Sequence, residues 1–317
     1  MKNGDRITCE IKKLDREQLL IEPPYTTGTI AIDWNEVERI ESRQLFQVVL
    51  TDGEQLYGAI RQDADAGASP DKQPFVVEGD DTPQTRTHDE VAAIKQLGGN
   101  FWEQLDFAVD FGYSFLKSNA ETQSTLNARV ERFSRRNWIQ LSTSSFLTRR
   151  SDGANNNRHN GTAAYLRVRP NQWFYGALAD FLQSDQQQLD LRVTVGGVAG
   201  RRMITTTTTK WDFFSGVVLN RERFAHQTST VNNSEIIVGT NASWYQFDST
   251  EIRSKLHVYP SLTEGGRYRV DFDTSAYLDV WGDLYFRLGF FDNFDSRPPI
   301  AAPRNDFGVS TTVGWSF

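Results

Sequence analysis

Several things are scarce in this chain of 317 residues, and each scarcity excludes something. No apolar run approaches the roughly eighteen residues that a membrane-spanning helix requires. Cysteine occurs once, at Cys9, so there is no disulfide framework and no cysteine-built zinc site. A small residue in a strand is its plain reading. Only four histidines occur, His88, His159, His226 and His257, and none sits in a recognisable nucleophile or zinc motif. Positive charge is also short. With 34 Lys and Arg against 41 Asp and Glu, the net charge is −7, no basic stripe appears, and nucleic acid is excluded as a partner. Cofactor and metal motifs are missing too. Gly196-Gly197-Val198-Ala199-Gly200 lacks the strand–loop–helix setting of a phosphate loop and reads as close packing within a strand. Asp152 and Asn155 to Asn157 lack the spacing of a calcium loop.

What the chain has in quantity is alternation. In the last thirteen residues, Phe307, Val309, Thr311, Val313, Trp315 and Phe317 share one parity. Gly308, Ser310, Thr312, Gly314 and Ser316 share the other. Successive side chains of a strand point to opposite faces, so one face is apolar and aromatic and the other small and polar. On a soluble edge strand this would be an aggregation hazard. In a lipid-embedded barrel the apolar face meets acyl chains and the edge pairs with the first strand. The polar mean hydropathy is compatible with this, because half of each barrel strand faces a polar lumen.

The same pattern begins just after Gly98-Gly99-Asn100. Leu105, Phe107, Val109, Phe111, Tyr113 and Phe115 alternate with Asp106, Ala108, Asp110, Gly112 and Ser114. Further strands are expected near 121–133, 137–149, 158–169, 172–183, 188–200, 208–222, 234–246, 251–262, 267–280, 283–292 and 306–317. That makes about twelve, an even number suited to closure. The strand near 158–169 is the weakest, with only Ala164, Leu166 and Val168 to offer lipid. Expected connections alternate between long polar ones (151–157, 223–233, 292–304) and short ones (134–136, 170–171, 248–249, 281–282). The exception is 201–209, a long connection where short ones are expected, ending in the run Thr205 to Thr209. Tryptophan favours membrane–water interfaces. Trp102, Trp138, Trp173, Trp211, Trp244, Trp281 and Trp315 all fall at the ends joined by short connections, although only Trp173, Trp211, Trp244 and Trp315 have outward parity.

Residues 1–97 form a separate unit with an internal repeat, about 1–50 and 51–97. Asn3-Gly4-Asp5-Arg6-Ile7-Thr8-Cys9-Glu10-Ile11 aligns with Asp52 to Ile60, and Asn35 to Ile40 aligns with Asp89 to Ile94. Asn-Gly and Asp-Gly are hairpin formers. The expectation is a small Sm- or SH3-like β-domain, either two tandem barrels or one built from both repeats, with a loop from Asp63 to Pro74. The whole chain is therefore all-β: 1–97 as a small β-domain and 98–317 as an antiparallel transmembrane barrel. Met1 to Arg6 carries no apolar run and shows no leader; an outer-membrane protein needs one, either removed or lying upstream.

At this point the chain resembles the YdiY-like, or salt-induced outer membrane protein, family of Gram-negative bacteria. The residues that carry the likeness are Asn3 to Ile7, Ile32-Asp33-Trp34 with Val37, and Phe101-Trp102. Further along they are Val258-Tyr259-Pro260-Ser261-Leu262, Asp295 to Pro299, Asn305 to Ser310, and Gly314 to Phe317. The resemblance implies an outer-membrane β-barrel of unknown function over about 100–317, with the front domain in the periplasm. Cys9 stands where such members have Gly, which speaks against a thiol function.

Inward parity collects Asp106, Asp110, Arg129, Arg167, Arg169, Arg192, Asp212, Arg253, Lys255, Arg269, Asp271, Asp273 and Arg287. Isolated charges in a narrow lumen are costly, so they should pair across strands. Either they set the selectivity of a narrow pore for ions or small solutes, or they close the tube. In the second case the barrel is an anchor holding the front domain for a periplasmic or neighbouring protein. Outer-membrane lipid and, through Phe307, Val309, Val313, Trp315 and Phe317 of the last strand, the barrel-assembly machinery are the other expected partners. No cofactor is expected, and the chain reads as a non-enzyme. A lipid hydrolase is the remote alternative, needing a serine, a histidine and a polar third residue at the lipid-facing outer rim, where His159 and His226 are the nearest candidates.

Overall fold

The computed structural model describes residues 1–51, 54–62, 75–78, 84–97, 105–116, 121–134, 137–149, 155–169, 171–225, 230–246, 250–281, 284–298 and 302–316. Every regular element longer than a single 3₁₀ turn is a strand. The front domain contains β1 (Glu10–Asp15), β2 (Gln18–Glu22), β3 (Ile30–Asp33), β4 (Ser42–Leu50), β5 (Gln55–Gln62), β6 (Phe75–Glu78), β7 (Gln84–Arg86) and β8 (Val91–Leu97). A 3₁₀ turn precedes β4 (Trp34–Glu36) and another precedes β8 (His88–Glu90), so the order of three strands, a turn and a strand occurs twice.

The two repeats do not make two barrels. They merge in one sheet of order β3-β2-β1-β8-β4-β5-β6-β7, with β4 and β8 paired at its middle. One core serves both halves: Leu14, Ile21 and Trp34 of the first pack with Phe46, Ile60 and Ile94. Trp34 and His88, aligned positions of the repeat, stack with ring centroids 3.8 Å apart. Cys9 packs against this core, and burial pushes its thiol pKa up. The expected strand after Asn3-Gly4 starts late. Gly4 takes φ 91° in a turn, but pairing begins only at Glu10. Asp52 and Gly53 and the Asp63–Pro74 loop lie outside the described residues.

The barrel is formed by β9 (Leu105–Leu116), β10 (Glu121–Ser134), β11 (Asn137–Arg149), β12 (Asn156–Val168), β13 (Trp173–Ser184) and β14 (Leu189–Thr205). It continues through β15 (Thr209–Phe224), β16 (Val231–Gln246), β17 (Thr250–Pro260), β18 (Tyr268–Trp281), β19 (Leu284–Asp295) and β20 (Asn305–Ser316). Each strand pairs antiparallel with its neighbours, and β20 closes on β9 through Val313↔Phe111 to Ser316↔Ala108. The fold is therefore the all-β, twelve-stranded closed barrel expected from alternation, preceded by an antiparallel sheet.

The end that carries the front domain is here the near end. Its connections, 135–136, 169–172, 206–208, 247–249 and 282–283, are two to four residues long. Those of the far end include 150–155, 261–267 and 296–304 and run longer. The threonine exception disappears. β14 continues to Thr205 and β15 starts at Thr209, leaving a three-residue turn in which Thr206 Oγ1 accepts the Thr209 N–H at 2.9 Å.

Outward parity is apolar on most strands of the barrel, with Phe111, Leu141, Val217, Leu219, Val280 and Leu288 all exposed. Of the last-strand residues, Phe307, Val309, Val313 and Trp315 are 44–63% exposed on this face, and Phe317 lies outside the described residues.

Candidate functional site: a barrel lumen with ion pairs at both ends

The inward residues enclose a cavity of about 1800 Å³ that extends from the lumen to the face of the front sheet. One wall of this lumen is unexpectedly apolar. Val168, Phe174, Val198, Phe214, Val218, Ile237 and Tyr259 form a buried cluster inside the barrel, joined by Leu166 and Leu178. Gly200 and Gly239 make room for it: a Cβ at either would strike the ring of Phe174 or Phe214. Among these sits His257, whose Nε2 lies 3.0 Å from Asn241 Oδ1 and whose ring is edge-on to Phe214.

At the far end the lumen is filled by ion pairs. Arg192 Nε is 2.6 Å from Glu222 Oε1, Arg267 bridges Glu222 at 3.0 Å and Asp295 at 2.7 Å, and Arg269 holds Glu235 at 2.6 Å. Asn220 and Asn233 donate to Glu235, and Arg158 and Ser184 reach Asp306. Glu222 and Glu235 have no solvent exposure. Three guanidinium groups meet three carboxylates, so the cluster neutralises its own charge, as buried charge requires.

The other domain lies across the near end. β1 and β2 are joined by a two-residue turn in which Arg16 (φ 55°) and Glu17 (φ 60°) are both left-handed, with Asp15 opposite Gln18. Turns of this kind favour Asn-Gly; a branched or long side chain there costs about 1–2 kcal/mol per residue. The turn thrusts Asp15 and Arg16 at the barrel mouth. Arg16 Nη1 lies 3.0 Å from Glu251 and its guanidinium is over the Tyr245 ring at 5.5 Å. Asp15 accepts from Lys210 at 2.8 Å, and Lys13 pairs with Asp106 at 3.0 Å. Burial alone would raise the Asp15 pKa, but Lys210, Arg16 and Lys13 outweigh it and hold the carboxyl well below its ordinary range.

Eleven of the thirteen charges expected in the lumen line the cavity. Asp110 meets Asn127, Tyr285 and Arg287, Arg129 meets Glu131, Arg202 stands 3.8 Å from Asp212, and Arg253 pairs with Glu251. Arg192 and Arg269 belong to the far-end cluster and Asp106 to the near-end contact. Lys255, Asp271 and Asp273 stand along the wall between. Arg167 and Arg169 do not face the lumen. Both are exposed on the outer face, where Arg169 donates to the Tyr175 hydroxyl at 3.3 Å. The parity of β12 is inverted because Leu166 and Val168 face the apolar cluster inside the lumen rather than the exterior.

Trp138, one of the tryptophans without outward parity, lines the cavity, where its indole N–H reaches Glu131 at 3.4 Å, and so does not join the exterior girdle. Trp173, Trp211, Trp244 and Trp315 are exposed on the exterior near the short turns; Trp102 lies outside the described residues, as does the side chain of Trp281.

Ser145 Oγ lies 2.9 Å from His159 Nδ1 on the outer face. Both residues lie in continuous ladders, with Ser145 opposite His159 and His159 opposite Gln183, so neighbouring backbone donors are committed to strand pairing. Among the described residues no three metal-ligating side chains come together.

Comparison with known proteins adds a family. The profile described as "Protein of unknown function, DUF481" matches residues 109–317. No curated protein matches the chain. Among solved structures, it is similar to a bacterial polysaccharide outer membrane secretin (14% identity, 67% of this chain and 97% of that one, TM-score 0.33). It is also similar to a porin (10%, 67% and 99%, TM-score 0.32) and to the translocator domain of the autotransporter NalP from Neisseria meningitidis (10%, 67% and 87%, TM-score 0.36). Scores this low carry nothing about function.

Proposed function

The chain belongs to the DUF481 family of proteins of unknown function, and from that premise we propose a non-enzymatic β-barrel of the Gram-negative outer membrane, of the YdiY-like kind. In this reading its narrow lumen is a gated passage for ions or small solutes, and its front domain lies in the periplasm. The observation that supports it is the division of the strands, apolar outward and charged inward, around a closed ladder with no free edge. Strands of 11 to 17 residues reach or exceed the roughly 9–11 that cross a bilayer. Short turns and exterior tryptophans share the near end, as periplasmic ends do.

Two arginine substitutions test the reading. Val217, at the middle of β15, points outward, and Val217→Arg should cost roughly 2–4 kcal/mol of stability in lipid. Asn241→Arg, inside the lumen, should leave heat-modifiable gel mobility intact. Equal tolerance at both sites, or folding of the purified chain in plain buffer, would sink the membrane reading. The hydrolase alternative predicts that Ser145→Ala abolishes lipid hydrolysis; we expect none to abolish. An anchoring role is the second reading, favoured by exposed Tyr25 and Leu45 on the front domain, and it predicts that Leu45→Ser loses capture of a periplasmic partner.

A further inference from the structure

The front domain and the barrel meet through opposite charges on three barrel strands and an aromatic ring on a fourth. Asp106 of β9, Lys210 of β15, Tyr245 of β16 and Glu251 of β17 receive Lys13, Asp15 and Arg16. Lys95 of β8 approaches the same Asp106 at 3.9 Å. Every pairing is complementary in sign. The tip residues are held in a turn conformation that their side chains disfavour, and an outlier of this kind is kept where a site uses it. Behind the tip, Gln18, Leu20, Gln47, Val49 and Ala93 of the front sheet line the same cavity as the lumen residues.

We infer that the front domain is a releasable cap on the near mouth of the barrel, seated by the Asp15–Arg16 tip of the β1–β2 hairpin. The inference deepens the passage reading above by naming what controls it, but the seating itself stands whether or not the lumen conducts. Release is feasible because Lys13, Arg16, Lys210 and Asp106 keep a third to a half of their side-chain surface in water, so salt can screen them. No covalent step is involved: seating exchanges protein–protein ion pairs for hydrated ions.

The test uses the full chain in lipid vesicles, with Cys9→Ser as background and Ser243→Cys as a reporter on the lumen wall. A charged maleimide should label the reporter slowly when the cap is seated. Arg16→Glu should raise the labelling rate about fivefold, the upper effect of losing one such ion pair. Arg16→Glu with Glu251→Arg should return it to the starting rate, and high salt should mimic Arg16→Glu. Equal labelling in all four cases overturns the cap. Should Arg16→Glu damage folding, a short bis-maleimide between Asp15→Cys and Lys210→Cys decides: a cross-link supports seating and its absence overturns it. Bilayer conductance, recorded on Arg16→Glu with the far-end ion pairs loosened as well by Glu222→Gln and Arg267→Met, separates the two readings. Labelling as expected without any conductance removes the passage and keeps the cap; conductance with indifferent labelling does the reverse.

Discussion

The two ends of the barrel are closed by the same chemistry under different burial. At the far end, Arg192, Arg267 and Arg269 with Glu222, Glu235 and Asp295 keep at most 6% of their side-chain surface exposed. All of them belong to the barrel domain, five on its wall strands and Arg267 in the connection just before β18. At the near end the pairs join two domains, and only Glu251 is comparably buried. Buried charge is stable only while every partner is present, since removing one strands the other in a medium that cannot solvate it. Half-exposed pairs can swap a partner for water at little cost. The far end is thus a lock built into the wall, and the near end a latch.

The largest effect should come from breaking the lock. Glu235→Ala leaves Arg269 buried without its carboxylate and should cost about 3–5 kcal/mol, read as the denaturant midpoint in lipid vesicles. A loss near zero would mean that water already reaches the far end and that the contrast is false. The latch should yield far less. Lys210→Ala should weaken seating by about 1 kcal/mol or less, and its difference from the unaltered chain should vanish in concentrated salt.

Acid down to pH 5 should not break the Asp15–Lys210 pair. Asp15 has a folded-state pKa below its ordinary value, so its contribution is present above that ordinary value and is lost only as pH falls through the depressed one. Lys210→Ala should therefore change reporter labelling by the same factor at pH 7 and pH 5, and a smaller effect at pH 5 would contradict the assignment.

The smallest effect belongs to His88. Burial against Trp34 lowers its pKa below the ordinary 6.5, with the Trp34 carbonyl and Asp89 opposing and Lys2 assisting. A lowered pKa stabilises the fold above the ordinary value and loses that contribution as pH falls through the folded one. The front domain should accordingly unfold slightly earlier at pH 5 than at pH 7, and His88→Gln should flatten that slope.

Much of the barrel was legible because lipid-facing residues repeat every second position, and that signal survives whatever the lumen contains. Strand number and most bounds follow from it. The parity of β12 did not, because the rule that apolar means outward fails where the lumen has a cluster of its own. Leu166 and Val168 therefore appeared to face lipid while packing beside Phe174. The lock was missed for a related reason. Glu222, Glu235 and Arg267 lie at or beside the ends of the expected strands, where polar residues on both faces hide the alternation, and only Asp295 lies beyond its expected strand of 283–292. Inward parity carried to those end positions would have found them. The latch left no local signal: Asp15-Arg16-Glu17-Gln18 contains none of the residues that mark a hairpin, and its partners lie more than 90 positions away.

The most direct measurement of the whole account is ion conductance across a planar bilayer with lock and latch opened separately and together. Arg16→Glu opens the latch; Glu222→Gln with Arg267→Met loosens the lock with less stranded charge than a single change. Closure at both ends predicts little current from the unaltered chain or from either change alone, and sustained current only when both are present. A steady open channel from the unaltered chain, or silence from the combined variant once it is shown to be folded, would contradict it.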